Sequence, residues 1–247
     1  MAETDWWLEE RIAWAEGYRC IAGIDEAGRG AMAGPVVAAC VVLPYEKAPP
    51  GINDSKALTP AQRERLYDEI VRVARGVGVG IVGAEEIDRI NVLRATHKAM
   101  RLALENLPGG LQPDIALIDG LPVRPFPITQ VALVRGDTRS ISIAAASIIA
   151  KVTRDRLMRD YDAQYPGYGF ALHKGYCVPA HLRALESLGP CPLHRRSFRP
   201  VGQCEEGDVE ALESGEPGAT SAQKAAKEKP ESVRRTGKGR RAAPPIP

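Results

Sequence analysis

Ile24-Asp25-Glu26-Ala27-Gly28-Arg29-Gly30 closes one apolar run, Cys20 to Ile24, and leads into a second, Val36 to Leu43. The first run reads as a strand over Tyr18 to Asp25. The second is continuously apolar and partly β-branched, the pattern of a strand buried on both faces. A short glycine-rich link between them predicts an antiparallel pair. Two adjacent carboxylates at the end of a buried strand are costly unless a cation neutralises them. The glycine-bracketed Arg29 beside them offers close backbone approach and a guanidinium to an anionic ligand. Gly28, Gly30 and Gly34 do not make a dinucleotide fingerprint, because a strand and not a helix follows them.

Outward from this pair, the chain alternates strands and helices. Thr4 to Glu16 reads as a short helix capped by Thr4 or Asp5, packing onto the domain through Trp7, Leu8 and Ile12. Asn53-Asp54-Ser55-Lys56 lies in a loop before a helix capped by Thr59, with Pro60 at its first position. Val77 to Val82 alternates with glycine and reads as a strand pressed closely by a neighbour. Helices are expected over Ala84 to Ile90 and, capped by Asn91, over Val92 to Leu107. Short strands follow at Asp114 to Ile118 and Ile128 to Val134. A long helix spans Ile141 to Tyr165, apolar nearly all round as far as Ile149. Pro166 to Val178 reads as a loop, Pro179 to Leu188 as a helix and Gly189 to Pro200 as irregular.

Three of these strands end in acid: at Asp25-Glu26, at Asp119 and, past Val134, at Gly136-Asp137. Strand ends of a mixed sheet can converge, and converging carboxylates must protonate or bind cations. Oxygen-only ligands favour a hard ion, Mg²⁺ or Mn²⁺, over zinc. Such ions suit in-line phosphoryl transfer. Each acid alone could be a turn former. The adjacent pair carries a geometric difficulty too, since a regular strand sends Asp25 and Glu26 to opposite faces.

The 247 residues are enough for one sizeable domain with extensions, and a hydrophobic fraction of 44% with 26% charged is ordinary for a globular protein. A net charge of +2 excludes a global basic field, so any basic surface is local. Five cysteines without a CxxC favour neither a disulfide framework nor a zinc ribbon. Cys20 and Cys40 read as buried thiols, which fits a reducing cytoplasm. The N-terminal residues carry no signal-peptide pattern, and no apolar run is long enough to span a bilayer. His97, His173, His181 and His194 show no ligand spacing, and no G-x-S-x-G elbow is present.

The run Ala22-Gly23-Ile24-Asp25-Glu26-Ala27-Gly28-Arg29-Gly30 resembles the signature of bacterial ribonuclease HII. The resemblance continues through Asn53-Asp54-Ser55-Lys56, Ile90 to Thr96, Gly136-Asp137, Ile143 to Asp155, His173-Lys174-Gly175-Tyr176 and His194 to Phe198. It covers roughly Gly17 to Pro200 in order. It implies an α/β ribonuclease H-like fold, a mixed five-stranded sheet flanked by helices with a C-terminal helical part. It implies Mg²⁺- or Mn²⁺-dependent cleavage of RNA in RNA–DNA hybrids and of single ribonucleotides in duplex DNA, leaving 3′-OH and 5′-phosphate ends.

By motif match, Asp25, Glu26, Asp119 and Asp137 would be the metal-binding carboxylates, with Asp155 as the competitor for the last place and a helix-surface ion pair as its alternative role. Gly28-Arg29-Gly30 would contact the ribose 2′-hydroxyl and the adjacent phosphate. Asn53, Ser55 and Lys56 would bind backbone phosphate, and Tyr176 would stack on the deoxyribose at the 3′ side. Without the resemblance, Tyr176 reads as a loop tyrosine half-buried against Phe170. Thr96 and Ser147 are weaker candidates for polar contacts. The expected division is an N-terminal helix over 1–17, a catalytic domain over 18–200 and a charged, disordered tail over 201–247. The tail is acidic first and basic last, either a solvated segment or an accessory contact to nucleic acid. The protein is expected to act as a monomer, away from membranes.

Overall fold

The computed structural model describes residues 5–206, and the elements below lie within one compact unit. Strands β1 (Ile21–Ala27) and β2 (Val36–Val42) pair antiparallel, with Asp25 opposite Ala39. Strand β3 (Gly76–Val82) adds antiparallel to β2. On the other side, β4 (Ile115–Asp119) and β5 (Thr129–Leu133) run parallel to β1. The order is β3-β2-β1-β4-β5, so β1 is the central strand and ends beside its parallel neighbour β4.

Helices cover both faces. Helix α1 (Leu8–Ala15) precedes the sheet, α2 (Pro60–Val73) lies between β2 and β3, and α3 (Ala84–Ile90) and α4 (Val92–Glu105) follow β3. Thr59 caps α2 as its sequence foretold, and it closes a capping box with Gln62. Helix α5 (Ile141–Gln164) follows β5, and α6 (Phe170–His173), α7 (Pro179–Leu188) and α8 (Arg199–Glu206) complete the chain described. Among the described residues no helix is long and apolar enough to cross a membrane.

Strand β2 is buried along its whole length because it serves two cores. Val36, Ala38, Cys40 and Val42 face Ala95, Ala99 and Ala103 of α4. Ala39 and Val41 face Ala145, Ile148 and Ile149 of α5, along with Leu66 and Ile70 of α2. On β3 the close neighbour is α4, whose Ala99 and Ala103 carbonyls lie where side chains at Gly80 and Gly78 would project. Cys20 and Cys40 are buried free thiols.

One close approach sets the active end of the sheet. A Cβ on Gly23 would lie 2.1 Å from the backbone carbon of Ser142. The first turn of α5 therefore rests directly on β1, two residues before Asp25. Helix α1 holds that turn from outside: Ser140 Oγ and Ser142 N donate to Glu10 Oε1 at 2.6 and 3.0 Å. Burial raises the Glu10 pKa, and the hydroxyl and amide bonds oppose that rise.

Several boundaries differ from those read in the sequence. Helix α1 begins at Leu8, with Asp5 Oδ1 accepting from Trp7 N at 3.1 Å; Thr4 lies outside the described residues. The segment read as a loop over Pro166 to Val178 contains α6. Helix α8 crosses position 200, where the catalytic domain was expected to end, because Val201 packs into a small apolar cluster with Met32 and Leu185. The remainder of the expected tail, 207–247, lies outside the described residues.

Candidate active site

Asp25, Asp119 and Asp137 each place a carboxylate oxygen within 4.8 Å of the others. Asp25 comes from the α5-facing side of β1, in line with Gly23. Asp119 ends β4, and its Oδ1 accepts from Gly136 N at 2.6 Å. That bond ties β4 to the turn of 3₁₀-helix Gly136–Thr138, which carries Asp137. Arg135 enters this turn in the left-handed region, at φ 57°. Asp155 is elsewhere: on α5 it accepts from Lys151 Nζ at 2.7 Å. Arg159, on the same helix, donates to Glu64.

Glu26 is not one of the three. Strand alternation turns it toward the α4 side, where Arg29 Nη1 lies 3.9 Å from its Oε1. It still borders the same cavity, of about 410 Å³, as Asp25 and Asp119. Burial raises the Asp25 pKa well above the ordinary carboxylate range, and the charges of Glu26 and Asp119 raise it further. Glu26 is also raised, by burial and by Asp119, against the lowering effect of Arg29. Burial and then Asp137 raise Asp119. Buried like charges pushing one another toward protonation are what a hard cation relieves, and an all-oxygen donor set suits Mg²⁺ or Mn²⁺. The residues present therefore fit a divalent metal.

One ammonium already reaches the cluster. Lys56 Nζ donates to Asp137 Oδ2 at 2.9 Å and lies 3.6 Å from Asp54 Oδ1. Partial burial lowers the Lys56 pKa, but the Asp137 bond and the surrounding acids outweigh that and hold it above its ordinary value. Ser55 and Lys56 line the cavity. Asn53 is exposed and outside the lining, its side-chain oxygen accepting from Asp54 N at 2.8 Å.

Gly28-Arg29-Gly30 also lines the cavity and is held by a buried arginine. Arg195 Nη2 donates to the Gly28 carbonyl at 2.7 Å, Nη1 to that of Arg29 at 3.0 Å and Nε to that of Gly34 at 3.0 Å. A trans peptide sets N–H opposite C=O, so the amides of Arg29 and Gly30 face away from that guanidinium. Burial pulls Arg195 down to about 9, which leaves it charged at neutral pH. Arg154, also fully buried, donates to the Pro35 and Ala33 carbonyls at 2.9 and 3.1 Å. Gly28 has φ +90°, and a Cβ there would lie 1.9 Å from Arg154 Nε.

Tyr176 lines the cavity, and its ring sits 5.3 Å from the Arg154 guanidinium carbon and 6.0 Å from Lys151 Nζ. Phe170, its expected neighbour in the absence of a family resemblance, packs instead with Tyr168 and three histidine rings. Ser147 lines the cavity, while its Oγ donates to the Ala144 carbonyl at 2.9 Å. Thr96 is buried and donates to Val92 O at 2.9 Å, a helix-internal bond. Lys151 and Arg63 also border the cavity. The sequence did not single them out, because lysine and arginine on helices normally read as solvated charge.

Residues 22–201 match the family model for ribonuclease HII. A ribonuclease HII from Geobacter sulfurreducens is 56% identical over 196 residues, 79% of this chain and 89% of that protein. One from Acetivibrio thermocellus is 56% identical over 191 residues, 77% of this chain and 74% of the relative. Among solved structures, the ribonuclease H2 from Pyrococcus horikoshii superposes with a TM-score of 0.67 at 29% identity, covering 76% of this chain and 98% of that one.

Proposed function

The chain belongs to the ribonuclease HII family, endoribonucleases of RNA–DNA hybrids, and we propose that it also cuts duplex DNA at a single embedded ribonucleotide, on its 5′ side, leaving 3′-OH and 5′-phosphate ends. The observation that carries this reading is the shared cavity. Asp25 and Asp119 line it together with Gly28-Arg29-Gly30 and Tyr176. Recognition of one sugar and hydrolysis of its phosphodiester then concern the same nucleotide.

Asp25, Asp119 and Asp137 are assigned to hold the metal, with Glu26 contributing from the rim. Two hard divalent ions, Mg²⁺ or Mn²⁺, would supply there a more acidic attacking water and a counter-charge for the leaving 3′ oxygen. The chain's own residues do the rest. The outward amides of Arg29 and Gly30 can donate to the ribose 2′-hydroxyl, the group that separates RNA from DNA at one position. The Arg29 side chain is free to turn from Glu26 to a phosphate. Lys56 is placed to meet a backbone phosphate while staying in reach of Asp137. Tyr176 offers its ring face to the sugar on the 3′ side, where a deoxyribose packs closer than a ribose. The exposed Asn53 serves this reading least. The free buried cysteines are in keeping with a reducing cytoplasm.

The test is cleavage of a duplex carrying one ribonucleotide, with and without Mg²⁺ and with Mn²⁺, followed by end-group analysis. Metal-dependent products ending in 3′-OH and 5′-phosphate are expected. A 2′,3′-cyclic phosphate, or equal cutting of all-DNA duplex, would overturn the reading.

A further inference from the structure

Three histidines without ligand spacing in the sequence meet beside the cavity. His173 and His181 stack with ring centroids 4.2 Å apart, and His194 Nε2 lies 3.1 Å from His181 Nε2. His181 and His194 are buried. Among the described residues they form no cluster that could hold a metal ion, and their nitrogens are engaged in hydrogen bonds instead.

The partners assign every proton. Cys191 N–H can only donate, and it meets His194 Nδ1 at 3.0 Å, so that nitrogen is bare. The His194 proton is then on Nε2, which donates to His181 Nε2. The proton of His181 must sit on Nδ1, 3.0 Å from the carbonyl of Tyr176, which can only accept. His173 completes the arrangement. Gly175 N–H donates to its Nδ1 at 3.2 Å, and its Nε2 donates to the Tyr168 carbonyl at 2.8 Å. All these directions are satisfied together only by three neutral imidazoles in one set of tautomers. The chain of bonds runs from Cys191 to the backbone of Tyr176. The next carbonyl back, that of Gly175, accepts from Met32 N and Ala33 N at 3.0 and 3.2 Å, joining the same segment to the loop after Gly28-Arg29-Gly30.

We propose that His181 and His194 are positioning residues for ribonucleotide-junction recognition: their hydrogen-bond chain fixes the backbone of Tyr176 and so the place of its ring over the cavity. The inference rests on the reading of Tyr176 as the residue that contacts the deoxyribose on the 3′ side of the ribonucleotide. No imidazole here moves a proton in the reaction. The chain works through geometry, and a displaced sugar-contacting ring weakens discrimination before it weakens hydrolysis.

Two measurements test this. Imidazole ¹⁵N–¹H correlation spectra of the full chain should give the Nδ1–H tautomer for His181 and the Nε2–H tautomer for His173 and His194. A different tautomer or a charged ring at pH 7.5 would overturn the chain whatever the variants do. Next, His181→Asn, whose amide can still donate to the Tyr176 carbonyl, is compared with His181→Phe, which cannot, and with Tyr176→Ala. Each is assayed on an all-RNA hybrid and on a single-ribonucleotide duplex. His181→Phe should lose about tenfold or more of the preference for the junction, mostly through KM, while His181→Asn keeps most of it. Loss in Tyr176→Ala but full retention in a folded His181→Phe sinks the positioning role and leaves the reading of Tyr176 standing. Unchanged preference in Tyr176→Ala sinks both.

Discussion

Lys56 donates to Asp137 across 81 residues of sequence, placing an ammonium against one edge of a carboxylate cluster. Its side chain is nonetheless 77% exposed, so the contact is made at the mouth of the site and not in its floor. Lys56→Met should therefore act in two opposite directions. Divalent ion binding to the free protein should tighten, because a competing positive charge has gone. KM for the nucleic acid should rise about tenfold, the scale of one lost charge-assisted hydrogen bond. Titration calorimetry with Mn²⁺ and steady-state kinetics read the two effects separately. Weakened metal binding would show that the lysine supports the ion and does not compete with it.

Asp25 suffers most from its neighbours. An acid whose folded pKa is raised takes up a proton on folding, so its penalty is absent at low pH and fully present above the folded value. Near pH 7.5 without metal, Asp25→Asn should thus melt higher than the wild type while cleaving nothing. Saturating Mg²⁺, at about a hundred times its Kd, should raise the wild-type Tm by roughly 5–10 °C. The variant should show little of that rise. Wild-type cleavage by Asp25→Asn would refute the assignment of this carboxylate to the metal.

Gly28→Ala tests the glycine loop of the cavity. The new Cβ meets a buried guanidinium, and the backbone at φ +90° is strained for any residue with a side chain. A loss of about 1–3 kcal/mol in urea unfolding is expected, with a larger fall in cleavage than in stability. Gly30→Ala is the control, since nothing lies within 4 Å of a Cβ there. Equal stability losses at the two positions would contradict the close fit.

The histidine pair makes an acid-side prediction. Burial first, and then neighbouring imidazoles, lower His181 to about 4 from an ordinary 6.5, and burial lowers His194 to about 4. Their neutral forms contribute stability that is whole above pH 6.5 and is lost as pH falls toward 4. The carboxylate cluster has the opposite slope, so the comparison must be between proteins. His181→Phe should show a shallower fall of Tm between pH 6.5 and 4.5 than the wild type. Parallel curves would mean that the pair does not stay neutral in the folded protein.

The legible part of the site was the part marked by local pattern. Acids at the ends of apolar runs identified Asp25, Asp119 and Asp137, because the end of a strand is visible in hydropathy. The Gly23 contact that brings α5, and with it Asp137, onto β1 had no local sign; a glycine in a strand shows that something approaches, not what. Strand alternation correctly warned that Glu26 points away from Asp25. Lys56 read as a solvated or phosphate-binding charge because its acid partner lies far along the chain. Arg154 and Arg195 were invisible as buried groups. Nothing near them in sequence reveals that backbone carbonyls, and no carboxylate within 4 Å among the described residues, surround them. The histidines showed no ligand spacing in sequence, and their partners are main-chain groups and, for His181 and His194, each other.

Arg195 has a consequence for the order in which the protein comes into being. It braces the Gly28 carbonyl across 167 residues, from near the far end of the family match. A chain still on the ribosome, or clipped before that arginine, already holds Asp25, Asp119 and Asp137. It lacks the arginine that braces the carbonyls of Gly28, Arg29 and Gly34. If that loop reads the sugar as proposed, selectivity is the last property synthesis completes.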